Sequence, residues 1–257
     1  MMFSLEGRTA FVTGAGGGLG AAISEAFVSQ GAAVALADLN VDAATAVADR
    51  LGGDTVAVAI DVADEESVDR AITETTAQLA APDIVVNCAG IAGLASFESM
   101  STADWRRMMG VHLDGAFFCT RRTLAAMLGR GYGRVICISS VAASMGAAGE
   151  THYAAAKAGI EGLVRALSRE VAARGVTVNA IAPGFFDTPI NSIGSEEEMA
   201  AFRANILVGR LGVPAEIGAL AVYIASDEAA YLTGQVISPN GGITYGHADQ
   251  AAVPDGG

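Results

Sequence analysis

Short apolar runs alternate along this chain with longer segments in which apolar residues recur with helical periodicity. Short continuous apolar runs are typical of parallel strands buried on both faces, and the longer periodicity is typical of helices. The runs predict strands at Thr9–Thr13, Ala33–Ala37, Thr55–Ile60, Ile84–Val86, Arg134–Ile138, Val176–Ile181 and Val236–Ser238.

Helical periodicity fills the intervals between these runs. It predicts helices at Leu19–Gln30, Val41–Leu51, Asp64–Leu79, Thr102–Leu128 and Thr151–Ala173, and one more from Pro214. Repeated alternation of strand and helix predicts an α/β fold, in which helices cover both faces of a parallel sheet. We expect a single domain over residues 1–243. The small, polar tail 244–257 is either disordered or an arm on a neighbouring subunit.

Composition narrows the class of protein. The 257 residues are 52% hydrophobic and 17% charged, which suits one large compact domain or two small ones. The net charge of -13 disfavours binding to nucleic acid or to a membrane surface. Neither a signal pattern at Met1–Arg8 nor an apolar run long enough for a bilayer is present. Cys88, Cys119 and Cys137 lack metal-ligand spacing, so we expect free thiols, no metal and a cytoplasmic location.

A glycine-rich turn follows the first predicted strand and opens the first helix. The glycines fit the spacing Gly14-x-x-x-Gly18-x-Gly20, with Gly17 and Leu19 between them. Glycine lets the backbone approach a ligand closely, and a helix N-terminus offers free N–H groups to a pyrophosphate. In this strand-turn-helix context the turn predicts a dinucleotide site.

Asp38 ends the second predicted strand and is followed by Leu39. In a dinucleotide fold a carboxylate at this position accepts both hydroxyl protons of the adenosine ribose, and it repels a 2′-phosphate. No Lys or Arg occurs between Arg8 and Arg50 to bind such a phosphate. We therefore predict NAD(H) as the cofactor. The alternative is that Asp38 caps the following helix, a role that Asn40 can fill instead.

Two further strand ends complete the predicted cofactor rim. Asp61 and Val62 end the third strand, where the adenine is expected to rest. Asn87, Ala89 and Gly90 end the fourth strand. Ligands bind at the carboxyl ends of strands in open α/β sheets, so these residues are expected to face the same crevice.

Tyr153 and Lys157 carry the candidate chemistry. Lys157 is the only lysine of the chain, all the other basic residues except histidine being arginine. Positions four apart share one face of a helix, which places the ammonium beside the phenol. A compact, rotatable charge suits a tight site better than the planar guanidinium of arginine.

Together these motifs resemble the short-chain dehydrogenase/reductase family over roughly Leu5–Gly242. The resemblance is carried by the glycine turn, the Asn87-x-Ala89-Gly90 segment, Ser140, the Tyr153-x-x-x-Lys157 pair, Asn179, Pro183-Gly184, Thr188, the Gly209–Gly212 segment and Gly241-Gly242. It implies a single-domain, doubly wound Rossmann-type fold with a seven-stranded parallel sheet. It also implies a nicotinamide cofactor and a homotetramer paired through the long helices Thr102–Leu128 and Thr151–Ala173.

Two positions depart from the family pattern. Cys88 stands where a second asparagine is common. His112 stands where the family usually has an asparagine whose main-chain carbonyl holds a water that bridges to the lysine. A carbonyl survives the substitution, so either the backbone of His112 maintains this relay or its imidazole takes part directly.

The resemblance assigns a role to each candidate catalytic residue. Tyr153 is the acid/base, and we expect the Lys157 ammonium to lower the phenol pKa by about three units, which takes about 4 kcal/mol. Lys157 also holds the nicotinamide ribose. Ser140 donates a hydrogen bond to the substrate oxygen, although the adjacent Ser139 is chemically identical. Pro183, Gly184, Phe186 and Thr188 are expected to hold the nicotinamide end of the cofactor.

Substrate contacts are expected from Ala92–Phe97, Val141–Glu150, Phe185 and a lid at Thr188–Arg210. Their side chains are mainly apolar, and include Ile91, Leu94, Phe97, Met145, Phe185, Ile190, Met199 and Phe202. Glu150 either reaches this pocket or, as the favoured interpretation, caps the next helix. We predict an oxidoreductase that interconverts a small hydrophobic secondary alcohol and its ketone. The alternative is a 3-oxoacyl-(acyl-carrier-protein) reductase, for which Arg130, Arg134 and Arg174 offer basic side chains.

Overall fold

A single parallel sheet of seven strands forms the centre of the protein. The computed structural model describes residues 2–188 and 203–245. The strands are β1 Thr9–Thr13, β2 Ala33–Asp38, β3 Thr55–Ala59, β4 Ile84–Asn87, β5 Gly133–Ile138, β6 Val176–Ile181 and β7 Val236–Ile237. Their order in the sheet is β3-β2-β1-β4-β5-β6-β7, and every pairing is parallel. The predicted α/β fold with seven strands is confirmed.

Helices connect the strands in the predicted sequence. They are α1 Gly18–Ser29, α2 Val41–Leu51, α3 Glu65–Gln78, α4 Thr102–Met109, α5 Gly115–Arg130, α6 Ala142–Met145, α7 Thr151–Val171 and α8 Pro214–Ala225. The predicted long helix over Thr102–Leu128 is present as continuous helical backbone, with a π-helical turn at Gly110–Asp114 between α4 and α5 that was not predicted. The backbone on both sides of this turn stays helical, so a search for helical segments in the sequence does not reveal it. The short helix α6 was not predicted.

Two apolar clusters occupy the two faces of the sheet. On one face, the inward residues of β1 and β2 pack against α1, α2 and α8, with Ile23, Phe27 and Ile217 fully buried. On the other face, alternate strand residues such as Phe11 pack against α3, α5 and α7. Continuous burial of β1 and β6 follows from this double cover, since parallel strands covered on both sides expose neither face.

The strand order reverses between β1 and β4, which places their carboxyl ends side by side. The Thr13 hydroxyl donates to the carbonyl of Val86 at 3.3 Å. It also accepts from the backbone N–H groups of Cys88 and Ala89, each at 3.0 Å. One side chain therefore joins the two strand ends at the point where open α/β sheets bind their ligands.

Part of the predicted lid and tail lies outside the described residues. Ile190, Met199 and Phe202 of the lid lie there, as does the tail from residue 246 onward. Within residues 2–188 and 203–245, no helix is long and apolar enough to cross a bilayer. In the same residues, no group of three or more His, Cys, Asp or Glu side chains is arranged to hold a metal ion.

Candidate active site

The glycine turn between β1 and α1 forms an open backbone cradle. Gly14 and Gly18 adopt φ angles of +68° and +54°, in the left-handed region that favours glycine. A Cβ on residue 14 would lie 2.9 Å from the Cα of Ala89, so only glycine fits against the end of β4. A Cβ on Gly17, by contrast, would meet nothing within 4 Å. No side chain caps the first turn of α1. The turn therefore leaves space and backbone N–H groups for a phosphate, as a dinucleotide requires.

Asp38 is held against this turn at the end of β2. Its carboxylate accepts a hydrogen bond from the backbone N–H of Gly16 at 2.8 Å and from that of Asn40 at 2.9 Å. The Asn40 side chain caps α2 by accepting from Ala43 at 3.2 Å. Asn40 therefore caps α2. The Asp38 carboxylate lies in the wall of the cavity.

Tyr153 and Lys157 lie on the first turns of α7 and face the same cavity. The Lys157 amine is buried and donates to the carbonyl of Ile138 at 2.6 Å. It lies 5.5 Å from the centre of the Tyr153 ring. Burial lowers the pKa of Lys157 to about 8. The amine therefore faces inward beside the phenol, as expected from the spacing of four.

Hydrogen bonding separates the two adjacent serines. The Ser139 hydroxyl donates to the carbonyl of Lys157 at 3.3 Å and to the Glu161 carboxylate at 3.1 Å, which turns it toward the body of α7. The Ser140 hydroxyl accepts from the N–H of Ala142 at 3.1 Å and lies close enough to the Tyr153 phenol to lower its pKa. Ser140 is thus the serine beside the phenol.

The expected lowering of the Tyr153 pKa does not occur in this structure. Burial raises the pKa of the phenol above its ordinary value of 10, and the Ser140 hydrogen bond only partly offsets this effect. The lowering predicted from Lys157 is therefore not found in this structure, in which desolvation of the phenolate is the largest influence on the phenol pKa. The phenol is consequently a protonated acid at neutral pH.

His112 lies in the π-helical turn, buried against Tyr153. The two rings meet edge to face, with centroids 5.2 Å apart. The imidazole Nε2 lies 2.9 Å from the carbonyl oxygen of Ile91 and 3.2 Å from its nitrogen. Burial, together with the charge of Lys157, lowers the pKa of His112 to about 3. The imidazole is neutral at physiological pH, which argues against acid-base chemistry by this side chain.

A cavity of about 470 Å³ joins these features at the carboxyl edge of the sheet. Thirteen of the predicted cofactor residues line it: Gly14, Gly17, Gly18, Leu19, Gly20, Asp38, Gly90, Tyr153, Lys157, Pro183, Gly184, Phe186 and Thr188. Ser140 and His112 line it as well. The glycine cradle, the carboxylate at the end of β2 and the Tyr153 region thus share one continuous space, which fits an extended dinucleotide.

Five predicted cofactor residues lie away from the cavity wall: Leu39, Asp61, Val62, Asn87 and Ala89. The Asn87 amide donates to the Thr120 hydroxyl at 3.0 Å and contacts the Cys137 sulfur at 3.5 Å. Its side chain therefore ties β4 to α5 and β5 inside the core. Val62 is buried against Gly115, and a Cβ added to residue 115 would lie 2.9 Å from the Cβ of Val62. Asn87 and Val62 thus have packing contacts that their position at a strand end did not reveal.

The substrate end of the cavity is mainly apolar. Its lining includes Ile91, Ala92, Gly93, Val141, Met145 and Phe185. Leu94 and Phe97 are exposed and lie outside the wall, unlike the prediction. The predicted cap by Glu150 was also wrong, because its side chain makes no capping hydrogen bond to α7. Glu150 lines the cavity instead.

The three arginines that could contact an acidic carrier protein lie at the opposite edge of the sheet from the cavity, near the amino ends of β4, β5 and β6. Arg130 donates to the carbonyl of Pro82 and pairs with Asp83. Arg134 is buried and lies 3.6 Å from the Asp227 carboxylate. Arg174 ends the turn before β6. None of the three approaches the Tyr153 cavity of its own chain.

Sequence comparison places the chain among nicotinamide-dependent enzymes. Residues 14–244 match the profile of a family described as enoyl-(acyl carrier protein) reductase. A 3-oxoacyl-(acyl-carrier-protein) reductase FabG of Vibrio harveyi is 39% identical over 240 residues, which cover 93% of this chain and 98% of the relative. Nodulation protein G of a Rhizobium species is 38% identical, covering 94% and 99%.

Solved structures give the same result. A candidate NAD(P)-dependent gluconate 5-dehydrogenase of Beutenbergia cavernae, solved with NADP at low occupancy, has a TM-score of 0.89 and 40% identity. The match covers 95% of this chain and 99% of that one. A candidate gluconate dehydrogenase of Agrobacterium tumefaciens has a TM-score of 0.91 and 34% identity, covering 95% and 98%.

The chain therefore belongs to the short-chain dehydrogenase/reductase family, a family of oxidoreductases that bind a nicotinamide cofactor. The resemblance predicted from the motifs is confirmed. The relatives are named for different substrates, a 3-oxoacyl thioester and gluconate, so what they share is the reaction class.

Proposed function

We propose that the protein reduces a small hydrophobic ketone to its secondary alcohol, and catalyses the reverse oxidation, with NAD(H). The observation that carries this proposal is the placement of Tyr153, Ser140 and Lys157 in the wall of the same cavity as the glycine cradle. Residues 1–243 would form the single catalytic domain, and residues 188–210 the lid over the substrate.

The cofactor would be held along the length of this cavity. The open first turn of α1 would bind the pyrophosphate, the Asp38 carboxylate would accept from the adenosine ribose, and Pro183, Gly184, Phe186 and Thr188 would hold the nicotinamide end. When bound, the nicotinamide supplies or accepts the hydride.

The side chains of the protein would handle the proton. The Tyr153 phenol, protonated because burial raises its pKa, would donate its proton to the oxygen of a ketone as that oxygen gains charge. The Ser140 hydroxyl, adjacent to the phenol, would donate a hydrogen bond to the same oxygen. Lys157 would place a cation behind the phenol and stabilise the phenolate left after transfer. The protonated phenol is the form that serves ketone reduction, and the reverse oxidation uses the phenolate.

The preference for NAD(H) rests on the charge at the end of β2. The Asp38 carboxylate lines the cavity and would repel a 2′-phosphate. The sequence offers no Lys or Arg between Arg8 and Arg50 to bind that phosphate. Titrating the protein with NADH and NADPH tests this assignment, and tighter binding of NADPH would reject it.

A second candidate is reduction of a 3-oxoacyl thioester, favoured by the FabG relatives. The reacting group is again a ketone, so the same tyrosine, serine and lysine would serve. Turnover of acetoacetyl-coenzyme A and of simple aliphatic ketones, each with NADH and NADPH, separates the two functions. Faster reduction of the ketones with NADH supports the first proposal, and faster reduction of the thioester supports the second.

We also propose a homotetramer in the cytoplasm, as the family resemblance implies. Trp105 of α4 and Phe117 of α5 expose 37% and 43% of their surfaces on the long helices that would pair subunits. Light scattering coupled to size-exclusion chromatography measures the mass, and a monomer would reject this assembly.

A further inference from the structure

One carboxylate stands at the substrate end of the cavity. Three charged side chains line the described wall: Asp38 beside the glycine cradle, Lys157 behind Tyr153, and Glu150. The remaining lining around Glu150 comes from small or apolar residues, among them Ala142, Met145, Gly146 and Ala147. Glu150 itself is partly buried, so water screens its charge only in part and the charge acts on a group that enters beside it.

Glu150 is held close to the reacting phenol. It precedes α7 directly and stands three positions before Tyr153, a spacing that brings side chains onto neighbouring parts of one helix face. Its negative charge is one of the influences that raise the pKa of Tyr153, so the two groups interact electrostatically. The turn before it is fixed, because the carbonyl of Gly149 accepts from the N–H of Ala95 at 2.9 Å.

The carboxylate of Glu150 has no hydrogen-bond or ion-pair partner among residues 2–188 and 203–245. His152 is the one titratable group that acts on its pKa, and burial of the carboxylate is the larger influence, raising that pKa. Arg210 of the lid segment is engaged by two hydrogen bonds to Glu216. The sequence from 189 to 202 contains three glutamates and no Lys, Arg or His. Among the described residues, Glu150 therefore lines the cavity without an ion-pair partner.

We propose that Glu150 determines substrate specificity by excluding ketones and alcohols that carry a carboxylate close to the reacting carbon. The proposal rests on the proposed ketone reductase function and narrows its substrate class to uncharged compounds. A substrate carboxylate placed next to the partly buried carboxylate of Glu150 is repelled by it. An ionised carboxylate offers only acceptor atoms, so it tolerates a neutral ester and pairs with a substrate hydroxyl or N–H group.

A matched pair of substrates tests this inference. Methyl acetoacetate and acetoacetate present the same ketone, and they differ in whether the neighbouring carboxyl group is an ester or a charged acid. The rates with NADH are measured at pH 8, which lies well above the ordinary range of carboxyl pKa values. The natural protein is expected to favour the ester in kcat/KM by at least about tenfold, a difference of about 1.4 kcal/mol. Glu150→Gln should reduce this preference by about tenfold, chiefly through a lower KM for the acid.

Two further variants make the result specific to the charge. Glu150→Asp keeps the charge and should retain the preference of the natural protein for the ester. Glu170→Gln removes an exposed charge from the same helix α7 and should leave the ratio unchanged. Thermal unfolding of each variant verifies that it is folded.

The outcomes distinguish the inference from the function beneath it. Equal ester-to-acid ratios in the natural protein and in Glu150→Gln would overturn the role of Glu150 and leave the ketone reductase function intact. Absence of turnover of both compounds by the natural protein, with NADH and with NADPH, would overturn the proposed function and this inference together.

Discussion

The Asp38 carboxylate accepts the backbone N–H of Gly16 at 2.8 Å, so the end of β2 is tied to the turn that opens α1. A Cβ on residue 16 would lie 3.0 Å from the same carboxylate, so a residue larger than glycine would displace Asp38. Asp38, the residue proposed to discriminate NAD(H) from NADP(H), is thereby fixed in position beside the proposed phosphate site.

Replacing Asp38 by Asn should weaken NADH binding by about tenfold and improve NADPH binding relative to it. Hydrogen bonds to a charged group contribute about 1.5–3 kcal/mol, and the amide no longer repels a 2′-phosphate. Fluorescence titration of both dinucleotides measures the change. Asp42→Asn, an exposed substitution in the first turn of α2, is the matched control. An unchanged NADH affinity in Asp38→Asn would argue against the proposed ribose contact.

Removal of the Tyr153 hydroxyl should separate cofactor binding from turnover. Tyr153→Phe retains the ring against His112 but lacks the proton donor, so kcat should fall by about a hundredfold to ten-thousandfold. The affinity for NADH should change by less than about threefold. Tyr231→Phe removes a hydroxyl from a fully exposed ring and serves as control. Ordinary turnover by Tyr153→Phe would show that another group moves the proton.

Lys157 should destabilise the fold at neutral pH while serving the reaction. Burial lowers its pKa from 10.5 to about 8, so the unfolded chain binds more protons than the folded protein between these values. The cost of burying the charged amine is full below pH 8 and fades as the pH rises toward 10.5. At about 1.36 kcal/mol per pKa unit, the fall of the pKa from 10.5 to about 8 corresponds to a cost of about 3 kcal/mol.

Lys157→Met should therefore be inactive yet more resistant to urea than the natural protein at pH 7. The gain falls short of the full cost, because the substitution also removes the hydrogen bond to Ile138. It should shrink when unfolding is measured near pH 10. Arg169→Met, an exposed change on the same helix, should show no such pH dependence. Equal destabilisation by Lys157→Met at both pH values would contradict the assigned pKa.

Gly90 is expected to tolerate no side chain because of His112. A Cβ at position 90 would lie 2.6 Å from the imidazole Cε1. Gly90→Ala should lower the free energy of unfolding by about 1–3 kcal/mol through overpacking. Combining it with His112→Ala should recover much of that loss, which a double-mutant cycle measures. Gly129→Ala, whose Cβ meets nothing within 4 Å, should be harmless. Additive losses in the double variant would show that the two residues do not compete for space.

His112→Asn should have a mild effect on catalysis. The imidazole is neutral and its Nε2 already contacts the backbone of Ile91, so its direct participation in proton transfer is not expected. The kcat/KM for ketone reduction should stay within about tenfold of the natural protein, with a similar pH profile. A loss as severe as that of Tyr153→Phe would instead indicate chemistry by the imidazole itself.

The sequence by itself determined the architecture and the identity of the main site residues. Buried parallel strands appear as continuous apolar runs, and a spacing of four places Tyr153 and Lys157 on one helix face, because both patterns depend on local periodicity. The glycine turn was also readable from sequence, since Gly14 needs both a positive φ and contact with a neighbouring strand.

Only the tertiary structure decided what each strand-end residue does. Asn87 and Asp38 both end strands, yet Asn87 bonds inside the core and Asp38 lines the cavity, because their neighbours come from distant parts of the chain. The tertiary structure also decided that Tyr153 is protonated and that the Glu150 side chain lines the cavity and does not cap α7. Desolvation and partner geometry depend on how the whole fold packs, and no local pattern of residues encodes them.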